Sequence, residues 1–251
     1  MGGGELYRGE RISVIIPARN EELAIVSVIR TVPSFVDHII LVDDASTDRT
    51  YQLASKIRDR RLEIIRHRTS AGVGGAILNG HLRAMSTGSD VDVVMAGDGQ
   101  MDPEYMPKLL DAVVTKEYDY SKGDRFASPH LRSGMPALRI VGNCLLTLLM
   151  KFATGYWRVT DPQNGYTAIR VSVLRKMPLH LVSQGYLFEN DMLLHLALMG
   201  ARVKDIQIPS RYPRKHTQMK TDTFILDSIS FFTKAFARRW LKWDIMDRNL
   251  S

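Results

Sequence analysis

The sequence has little cysteine and no long apolar run, and both shortages limit what the protein can be. A single cysteine, Cys144, among 251 residues excludes an internal disulfide framework and a cysteine-based zinc site, and it fits a reducing compartment. The first residues contain no apolar stretch, so we expect no secretory signal. No uninterrupted apolar run approaches the roughly 20 residues of a spanning helix. We therefore expect a chain that does not cross a membrane, although it can lie on one.

The composition is that of an ordinary globular protein, but the charge is unevenly placed. Hydrophobic residues make up 45% and charged residues 24%, and the length suits one α/β domain or two small ones. The net charge is +7. Residues 1–201 contain 23 basic and 22 acidic side chains, whereas residues 202–251 contain 11 and 5. A nearly neutral body thus precedes a basic C-terminal segment, which favours an anionic partner.

The first hundred residues alternate between strand and helix patterns. Four short apolar runs predict strands: Ile12–Ile16, Ile39–Val42, Leu62–Ile65 and Val91–Met95. Helical patterns between these runs predict an α/β fold with a mostly parallel central sheet flanked by helices. Ligands bind such sheets beyond the carboxyl ends of the strands. Polar residues stand at three of these ends: Asn20-Glu21, Asp43-Asp44 and Asp98-Gly99-Gln100.

The second half of the sequence is less regular. Pro136–Phe152 and Phe188–Met199 predict helices, and Val203–Ile208 predicts a last strand. Thr223–Trp243 predicts an amphipathic helix, with aromatic and aliphatic residues on one side and basic residues on the other. Such a helix fits a membrane interface, and it equally fits packing on the domain's own core or in a dimer.

Carboxylates after strands suggest a ligand site, and each also has an ordinary structural explanation. Asp43 and Asp44 can accept hydrogen bonds from a base and a ribose, or they can form a turn. Asp98 and Gln100, two residues apart, can face one cation, and Mg²⁺ or Mn²⁺ takes such oxygen ligands together with substrate phosphates. Two neighbouring acids, Asp48 and Asp102, are expected to cap helices.

Two further segments are ambiguous by themselves. The glycine-rich stretch beginning at Gly72 precedes a helix and can cradle a phosphate, but it matches no established phosphate-binding pattern and also fits close helix packing. Glu189 and Asp191 open a helix, where acids ordinarily complement the helix dipole. Both are also candidates for a general base.

Taken together and in order, these segments resemble the family 2 glycosyltransferases of the GT-A fold, a Rossmann-like nucleotide-binding fold. They look most like the polyprenyl-phosphate (dolichol-phosphate) mannosyl- and glucosyltransferase branch. The resemblance covers about residues 11–220 and rests on seven segments: Ile15–Glu22, Val42–Thr50, Gly72–Gly80, Gly97–Pro103, Gly123–Phe126, Asp161–Tyr166 and Phe188–Asp191. It implies an N-terminal extension at 1–10, a GT-A domain at 11–210, and a basic loop with an amphipathic C-terminal helix at 211–251.

The resemblance also implies an inverting transferase that uses a UDP- or GDP-sugar and Mg²⁺ or Mn²⁺. The implied nucleotide-binding residues are Pro17, Ala18, Asn20, Glu21, Asp43, Asp44, Gly72 and Asp98. Asp98 and Gln100 would hold the metal, Asp191 or Glu189 would act as base, and Arg125 would neutralise phosphate charge during catalysis. The family usually has Asp-x-Asp before the glutamine, whereas Ala96 takes the first position here. One carboxylate of the metal or ribose site is therefore missing.

The acceptor implied by the resemblance is a polyprenyl or dolichyl phosphate. Four basic residues near the C-terminus are candidates to bind its phosphate or a lipid headgroup, although they also fit a solvated loop: Arg211, Arg214, Lys215 and Lys220. We expect a cytoplasmic protein that is peripheral on the inner face of the cell membrane, held there by surface attachment or by a separate membrane-protein partner, and we expect no nucleic-acid partner. The alternatives are a sugar hydroxyl as acceptor in glycan synthesis, and a noncatalytic nucleotide-binding scaffold.

Overall fold

A computed structural model describes residues 6–126, 137–209, 231–233 and 235–237. In these residues, seven strands form one sheet: β1 Ile12–Ala18, β2 His38–Asp43, β3 Leu62–Arg66, β4 Val91–Val94, β5 Tyr120–Asp124, β6 Thr167–Arg170 and β7 Val203–Gln207. The described helices are α1 Ile25–Thr31, α2 Thr50–Ala54, α3 Gly72–Ser86, α4 Met106–Val114, α5 Ala137–Thr154, α6 Val171–Leu174 and α7 Phe188–Leu198. Short 3₁₀ helices occupy Pro103–Tyr105 and Leu179–Leu181.

The sheet is mostly parallel, as the sequence predicts. The strand order is β3-β2-β1-β4-β6-β5-β7. Pairs among β1 to β4 are parallel, β6 is antiparallel to both β4 and β5, and β5 is parallel to β7. The five predicted strands are confirmed as β1 to β4 and β7. Because each parallel connection carries a helix across a face of the sheet, the ends of β1, β2 and β4 lie at one edge.

The core has a layer on each face of the sheet, and β1 contributes to both. Ile12, Val14 and Ile16 are buried with side chains of α1 and α4, whereas Ile15 packs under α3. At Gly80 of α3, an added Cβ would lie 2.3 Å from Ile15 Cγ2. A glycine is therefore needed for α3 to approach the sheet this closely.

A second cluster lies under α5 and α7, and part of the C-terminal segment joins it. Residues 231–233 and 235–237 are helical, and Phe232 and Ala235 are buried in this cluster. Four residues of the predicted amphipathic helix thus pack on the domain itself: Phe231, Phe232, Ala235 and Phe236. The rest of that helix, and the basic loop before it, lie outside the described residues. Within the described part of the chain, none of the helices combines the length and the apolar character that crossing a membrane demands.

Candidate active site

The ends of β1, β2 and β4 come together through backbone contacts. The N–H of Asp44 donates to the carbonyl of Ala18 at 2.9 Å, and the N–H of Gly97 donates to the carbonyl of Pro17 at 3.1 Å. An added Cβ at Gly97 would lie 2.9 Å from Ala18 Cβ. The glycine before Asp98 thus allows the segment after β4 to pass close to the end of β1.

Side-chain hydrogen bonds connect the turn after β1 to the turn after β2. Asn20 adopts a positive φ of 56°, a conformation that asparagine tolerates better than most residues. Its N–H donates to Ser46 Oγ at 3.0 Å, and its Oδ1 accepts from the N–H of Thr47 at 2.8 Å. The N–H of Glu21 donates to Thr50 Oγ1 at 2.7 Å. Asn20 and Glu21 therefore lie at the same edge as the carboxylates after β2.

Asp44 holds the segment that leads into α3. Its carboxylate accepts from Ser70 Oγ at 2.6 Å, His67 Nδ1 at 2.7 Å, and the N–H groups of Ala71 and Gly72 at 2.7 and 3.1 Å. Burial acts to raise the pKa of Asp44, but the hydrogen bonds from Ser70 and His67 outweigh it and hold the pKa below its usual value. A carboxylate offers about four acceptor positions, so a nucleotide must displace one of these donors to contact it.

The hydrogen bonds of His67 continue away from Asp44. Asn79 Nδ2 donates to His67 Nε2 at 2.8 Å. Because the Asp44 carboxylate can only accept, His67 must carry a proton on Nδ1. The chain from Asn79 through His67 to Asp44 joins the middle of α3 to the end of β2. The sequence analysis gave His67 and Ser70 no role, because their contact with Asp44 spans more than 20 residues.

Asp43 is fully buried. Its Oδ1 accepts from the N–H of Ser46 at 3.3 Å, and Arg66 Nε lies 3.2 Å from its Oδ2. Since Arg66 ends β3 and Asp43 ends β2, this ion pair fixes two neighbouring strand ends. Asp43 is thus at the predicted edge, and its carboxylate points into the protein.

Asp98 and Gln100 meet each other after β4. The N–H of Gln100 donates to Asp98 Oδ1 at 3.0 Å, and Gln100 Nε2 donates to Asp98 Oδ2 at 2.6 Å. The residues that the structure describes contain no group of three or more histidine, cysteine or acidic side chains that could hold a metal ion. One carboxylate with one amide oxygen fits Mg²⁺ or Mn²⁺ only where substrate phosphates and water complete the coordination.

Ala96 stands where the family usually has an aspartate, and its backbone contacts a methionine. The N–H of Ala96 lies 3.1 Å from the sulfur of Met101. The next acid, Asp102, accepts from the N–H of Glu104 at 3.1 Å and caps the 3₁₀ helix that begins at Pro103, as predicted. Asp48 accepts from the N–H of Thr50, the first residue of α2, at 2.9 Å, in line with its expected place at a helix start.

The glycine-rich stretch forms the first turn of α3 and packs against the segment before α7. Gly72 has a φ of +80°, and an added Cβ there would lie 2.6 Å from the carbonyl oxygen of Gln184. At Gly74 the same atom would lie 2.7 Å from the carbonyl oxygen of Ser183. The N–H of Gly75 donates to the carbonyl of Gln184 at 3.2 Å. The close-packing explanation of these glycines accounts for their geometry.

Arg125 follows β5 and forms a two-point ion pair with a buried aspartate. Its Nε and Nη2 donate to the carboxylate of Asp161 at 2.7 and 2.9 Å. Burial acts to raise the pKa of Asp161, but the charge of Arg125 holds that pKa below its usual value. The fully buried Lys122 donates to the carbonyls of Asp161 and Gly123. Arg125 is therefore held in a fixed position at the end of β5.

Glu189 lies close to this group of charges. An added Cβ at Gly165 would lie 3.1 Å from Glu189 Oε1. Burial raises the pKa of Glu189 to about 7, although the positive charges of Lys122 and Arg125 act to lower it. A carboxyl group with a pKa near neutrality suits proton transfer at physiological pH. Of the two predicted bases, the structure places Glu189 beside Arg125.

Asp191 lies on the inner side of α7. Its Oδ2 accepts from the N–H of Ser183 at 2.8 Å, and its Oδ1 lies 3.4 Å from His195 Nδ1. His195 also contacts the carbonyl of Asp191 at 2.9 Å and is buried. These contacts give Asp191 a structural role in joining α7 to the segment before it.

Most of the strand-end residues are recognisable from sequence motifs, whereas the residues that fix their positions are not. Those found by motif are brought to one edge of the sheet: Pro17, Ala18, Asn20, Glu21, Asp43, Asp44 and Asp98 with Gln100. Lys122 was missed because a lysine inside a strand ordinarily indicates an exposed position. The candidate acceptor residues Arg211, Arg214, Lys215 and Lys220 lie outside the described residues.

The mostly parallel sheet with helices on its faces is an α/β fold of the GT-A type. The sequence profile of the family "Glycosyl transferase family 2" matches residues 13–178, and the chain belongs to that family. It is therefore a glycosyltransferase by family, and this favours an enzyme over a noncatalytic scaffold.

Curated relatives and solved structures add names to this family. The chain is 28% identical over 229 residues to the UDP-N-acetylglucosamine–dolichyl-phosphate N-acetylglucosaminyltransferase of Methanococcus voltae, with 85% of this chain and 91% of the relative covered. It is 34% identical over 207 residues to the polyprenol monophosphomannose synthase of Mycolicibacterium smegmatis, covering 79% and 77%. Its fold matches glucosyl-3-phosphoglycerate synthase of Mycobacterium tuberculosis, solved with Mn²⁺ and UDP-glucose, with a TM-score of 0.62, 24% identity, and 83% and 73% of the chains covered.

Proposed function

We propose that this protein transfers a sugar from a UDP- or GDP-sugar to a polyprenyl or dolichyl phosphate, with inversion at the anomeric carbon. The observation that carries the proposal is the meeting of Asp98 and Gln100 with the ends of β1 and β2 at one edge of a parallel sheet. Relatives named as dolichyl-phosphate and polyprenol-phosphate sugar transferases support the choice of acceptor. The protein would work at the inner, cytoplasmic face of the cell membrane, held there by surface attachment or by a separate membrane-protein partner.

The proposed roles follow from the charges that develop in the reaction. Breaking the bond between sugar and phosphate leaves negative charge on the nucleoside diphosphate. Asp98 and Gln100 would hold Mg²⁺ or Mn²⁺, which supplies positive charge to that diphosphate. Pro17, Ala18 and the turn at Asn20 and Glu21 would line the nucleotide pocket. Arg125, fixed by Asp161, would add positive charge near the phosphates.

Asp43, Asp44 and the glycine turn at Gly72 would contribute mainly by setting the shape of the nucleotide pocket. Asp44 holds Gly72 and thereby sets the position of the α3 N-terminus relative to the end of β2. Asp43 fixes Arg66 at the end of the neighbouring strand β3 through their ion pair. Both residues thus shape the nucleotide pocket, and a direct contact of Asp44 with the nucleotide would require release of Ser70 or His67. The acceptor phosphate would be bound by Arg211, Arg214, Lys215 and Lys220.

Donor turnover and metal dependence test the proposal together. The protein is incubated with UDP- and GDP-sugars, Mn²⁺ or Mg²⁺ and a short polyprenyl phosphate, and release of nucleoside diphosphate is measured. We expect turnover with one donor class, loss of turnover on chelation, and at least a hundredfold reduction in Asp98→Asn, because the diphosphate loses its charge stabilisation. Glu104→Gln, a change at a nearby exposed acid, is the control. No release across the donor panel would contradict the proposal.

A sugar hydroxyl acceptor is the second candidate, and the raised pKa of Glu189 favours it. A hydroxyl must lose a proton during attack, whereas a phosphate acceptor is already anionic near neutral pH. We therefore expect Glu189→Gln to abolish turnover of a hydroxyl acceptor and to spare turnover of a polyprenyl phosphate within about tenfold. The same comparison with Asp191→Asn tests the other proposed base. Loss of phosphate-acceptor turnover in either variant, with folding intact, would favour a general base in both reactions.

A further inference from the structure

Helix α5 has apolar side chains on two sides, and only one of them faces the core. Leu146, Met150 and Ala153 are buried in the second cluster. On the other side, four large apolar side chains are about half exposed: Leu145 at 59%, Leu148 at 49%, Phe152 at 52% and, just beyond the helix, Trp157 at 58%. The rings of Phe152 and Trp157 meet edge to face at 5.2 Å. We call these four residues the α5 outer surface.

The apolar character of this surface indicates an interaction site. A globular helix ordinarily turns one apolar stripe inward and a polar face to water. A contiguous apolar surface that contains an exposed tryptophan is characteristic of an interaction site. Tryptophan in particular suits the interface of a bilayer, where its ring is apolar and its N–H reaches water or headgroups.

The charge around the α5 outer surface indicates the chemistry of the partner. Residues 142–160 contain two basic residues, Lys151 and Arg158, and neither aspartate nor glutamate. Of these, Lys151 lies within α5, and Arg158 is exposed next to Trp157. A surface of apolar and aromatic residues with basic neighbours complements an anionic bilayer. A second copy packed on the same face would instead bring these positive charges together.

The α5 outer surface belongs to the same end of the molecule as the candidate active site. Thr147 Oγ1 of α5 donates to the carbonyl of Thr160 at 3.0 Å, and Thr160 Oγ1 donates to Asp124 Oδ2 at 2.6 Å. Asp124 ends β5, and Asp161 holds Arg125 just beyond it. Two hydrogen bonds therefore link the middle of α5 to the strand end that carries Arg125.

From these observations we propose that the α5 outer surface docks this protein on an anionic lipid bilayer and thereby presents the candidate active site to a phosphate at the membrane surface. The proposal rests on the proposed function for the identity of that phosphate as a lipid acceptor. It differs from attachment through the C-terminal amphipathic helix, since Phe232 and Ala235 of that segment are buried in the protein's own core. The bilayer would cover Leu145, Leu148, Phe152 and Trp157.

Flotation of the full chain with lipid vesicles tests the docking surface. Vesicles of phosphatidylcholine with phosphatidylglycerol are compared with vesicles of phosphatidylcholine alone. The test variants are Leu148→Glu and the uncharged Phe152→Ser, and the control is Leu82→Glu, because Leu82 is 51% exposed on α3. We expect each test variant to lower binding to the anionic vesicles by roughly tenfold, since each removes apolar surface from the bilayer. The control should stay within twofold, and added salt should weaken binding of the wild type.

The outcomes distinguish the occupants. If the wild type floats with the vesicles and both test variants float equally well, the proposal is overturned. A concentration-dependent dimer in analytical ultracentrifugation, dissociated by Leu148→Glu and accompanied by no flotation, would identify a second copy as the occupant and would also overturn it. Circular dichroism of each variant confirms that the fold is intact, and Phe152→Ser provides an uncharged second test should Leu148→Glu fail to fold.

A water-soluble acceptor separates failure of the inference from failure of the proposed function. Turnover of a short polyprenyl phosphate in solution should be equal in wild type and both test variants, whereas turnover of a long-chain acceptor in vesicles should fall with vesicle binding. Turnover of the soluble acceptor without any flotation would overturn the docking surface alone. Flotation lost in the variants, with no turnover of any acceptor, would support the docking surface and contradict the proposed function.

Discussion

At the scale of single residues, the acids of this protein have different roles because their surroundings differ. Asp44 accepts four hydrogen bonds and has a lowered pKa, so it is a charged anchor for the segment that enters α3. At Glu189, burial outweighs a backbone hydrogen bond and the nearby positive charges, and raises the pKa to about 7. Both carboxyl groups lie in segments that carry the family resemblance, and hydrogen bonding at Asp44 and burial at Glu189 separate a structural acid from a candidate base.

The raised pKa of Glu189 makes the stability of the protein depend on pH. Its ordinary pKa is 4.5, so the folded state binds a proton more tightly than the unfolded state does. The stability that this group contributes is fully present below pH 4.5 and is lost as the pH rises through about 7. We expect the free energy of unfolding of Glu189→Gln to exceed that of wild type more at pH 8 than at pH 5. Urea unfolding at both pH values measures this difference.

The control for this prediction is the exposed Glu117. Glu117→Gln should change the free energy of unfolding by the same small amount at pH 5 and pH 8, because an exposed carboxylate gains little on folding. An equal pH response in Glu189→Gln and Glu117→Gln would show that Glu189 titrates in its ordinary range.

At the scale of elements, the sequence pattern identified strands that are runs of apolar residues, and it missed β5 and β6, which contain polar residues. Strands β1 and β2 are runs of β-branched and aliphatic residues, and they were predicted within two residues at each end. Strand β5 has the sequence Tyr-Ser-Lys-Gly-Asp, and every one of its residues is buried. Its polar groups are satisfied by partners far along the chain, such as the carbonyl of Leu109 for Ser121 Oγ at 2.7 Å. Local pattern does not contain that information.

Replacing two helix glycines by alanine is predicted to change the free energy of unfolding in opposite directions. At Gly74 in α3, an added Cβ would lie 2.7 Å from the carbonyl oxygen of Ser183 and 2.8 Å from Phe188 Cβ. We expect Gly74→Ala to lower the free energy of unfolding by about 1–3 kcal/mol, because α3 must move away from the segment before α7. At Gly142 in α5 an added Cβ would meet no atom of the described residues within 4 Å apart from the helix's own adjoining backbone, so Gly142→Ala should raise the free energy of unfolding by about 0.5–1 kcal/mol through helix propensity.

Thermal or urea unfolding of both glycine variants measures this contrast. Equal effects of the same sign in the two variants would contradict the packing of α3 on the segment Ser183–Phe188. A loss of nucleotide affinity in Gly74→Ala, with none in Gly142→Ala, is also expected, since α3 carries the turn held by Asp44.

At the scale of the whole molecule, residues near the C-terminus complete the second cluster, which draws on elements from α3 to α7. Phe232 and Ala235 are buried beside α5, α6 and α7, although they follow β7 by more than 20 residues. The basic excess of residues 202–251 therefore belongs to a segment that is anchored in the domain at these positions.

The burial of Phe232 yields a prediction for the whole fold. Phe232 is 5% exposed, whereas Phe152 on the α5 outer surface is 52% exposed. We expect Phe232→Ala to lower the free energy of unfolding by about 3 kcal/mol or more, because it removes a buried ring and leaves a cavity. Phe152→Ala should lower it by less than about 1 kcal/mol. Urea unfolding of the two variants checks the difference, and similar losses would contradict the packing of residues 231–237 on the domain.

The sequence by itself determined the class of fold, the edge of the sheet that holds the site, and the residues after β1, β2 and β4. It could do so because apolar periodicity fixes a parallel sheet and parallel strands end on the same side. Only the tertiary structure decided which carboxylates are internal anchors, that Asp161 fixes Arg125, that Glu189 has a raised pKa, and that α5 presents apolar residues outward. The reason is physical: hydrogen bonding, burial and charge at each of these positions depend on partners that are distant along the chain.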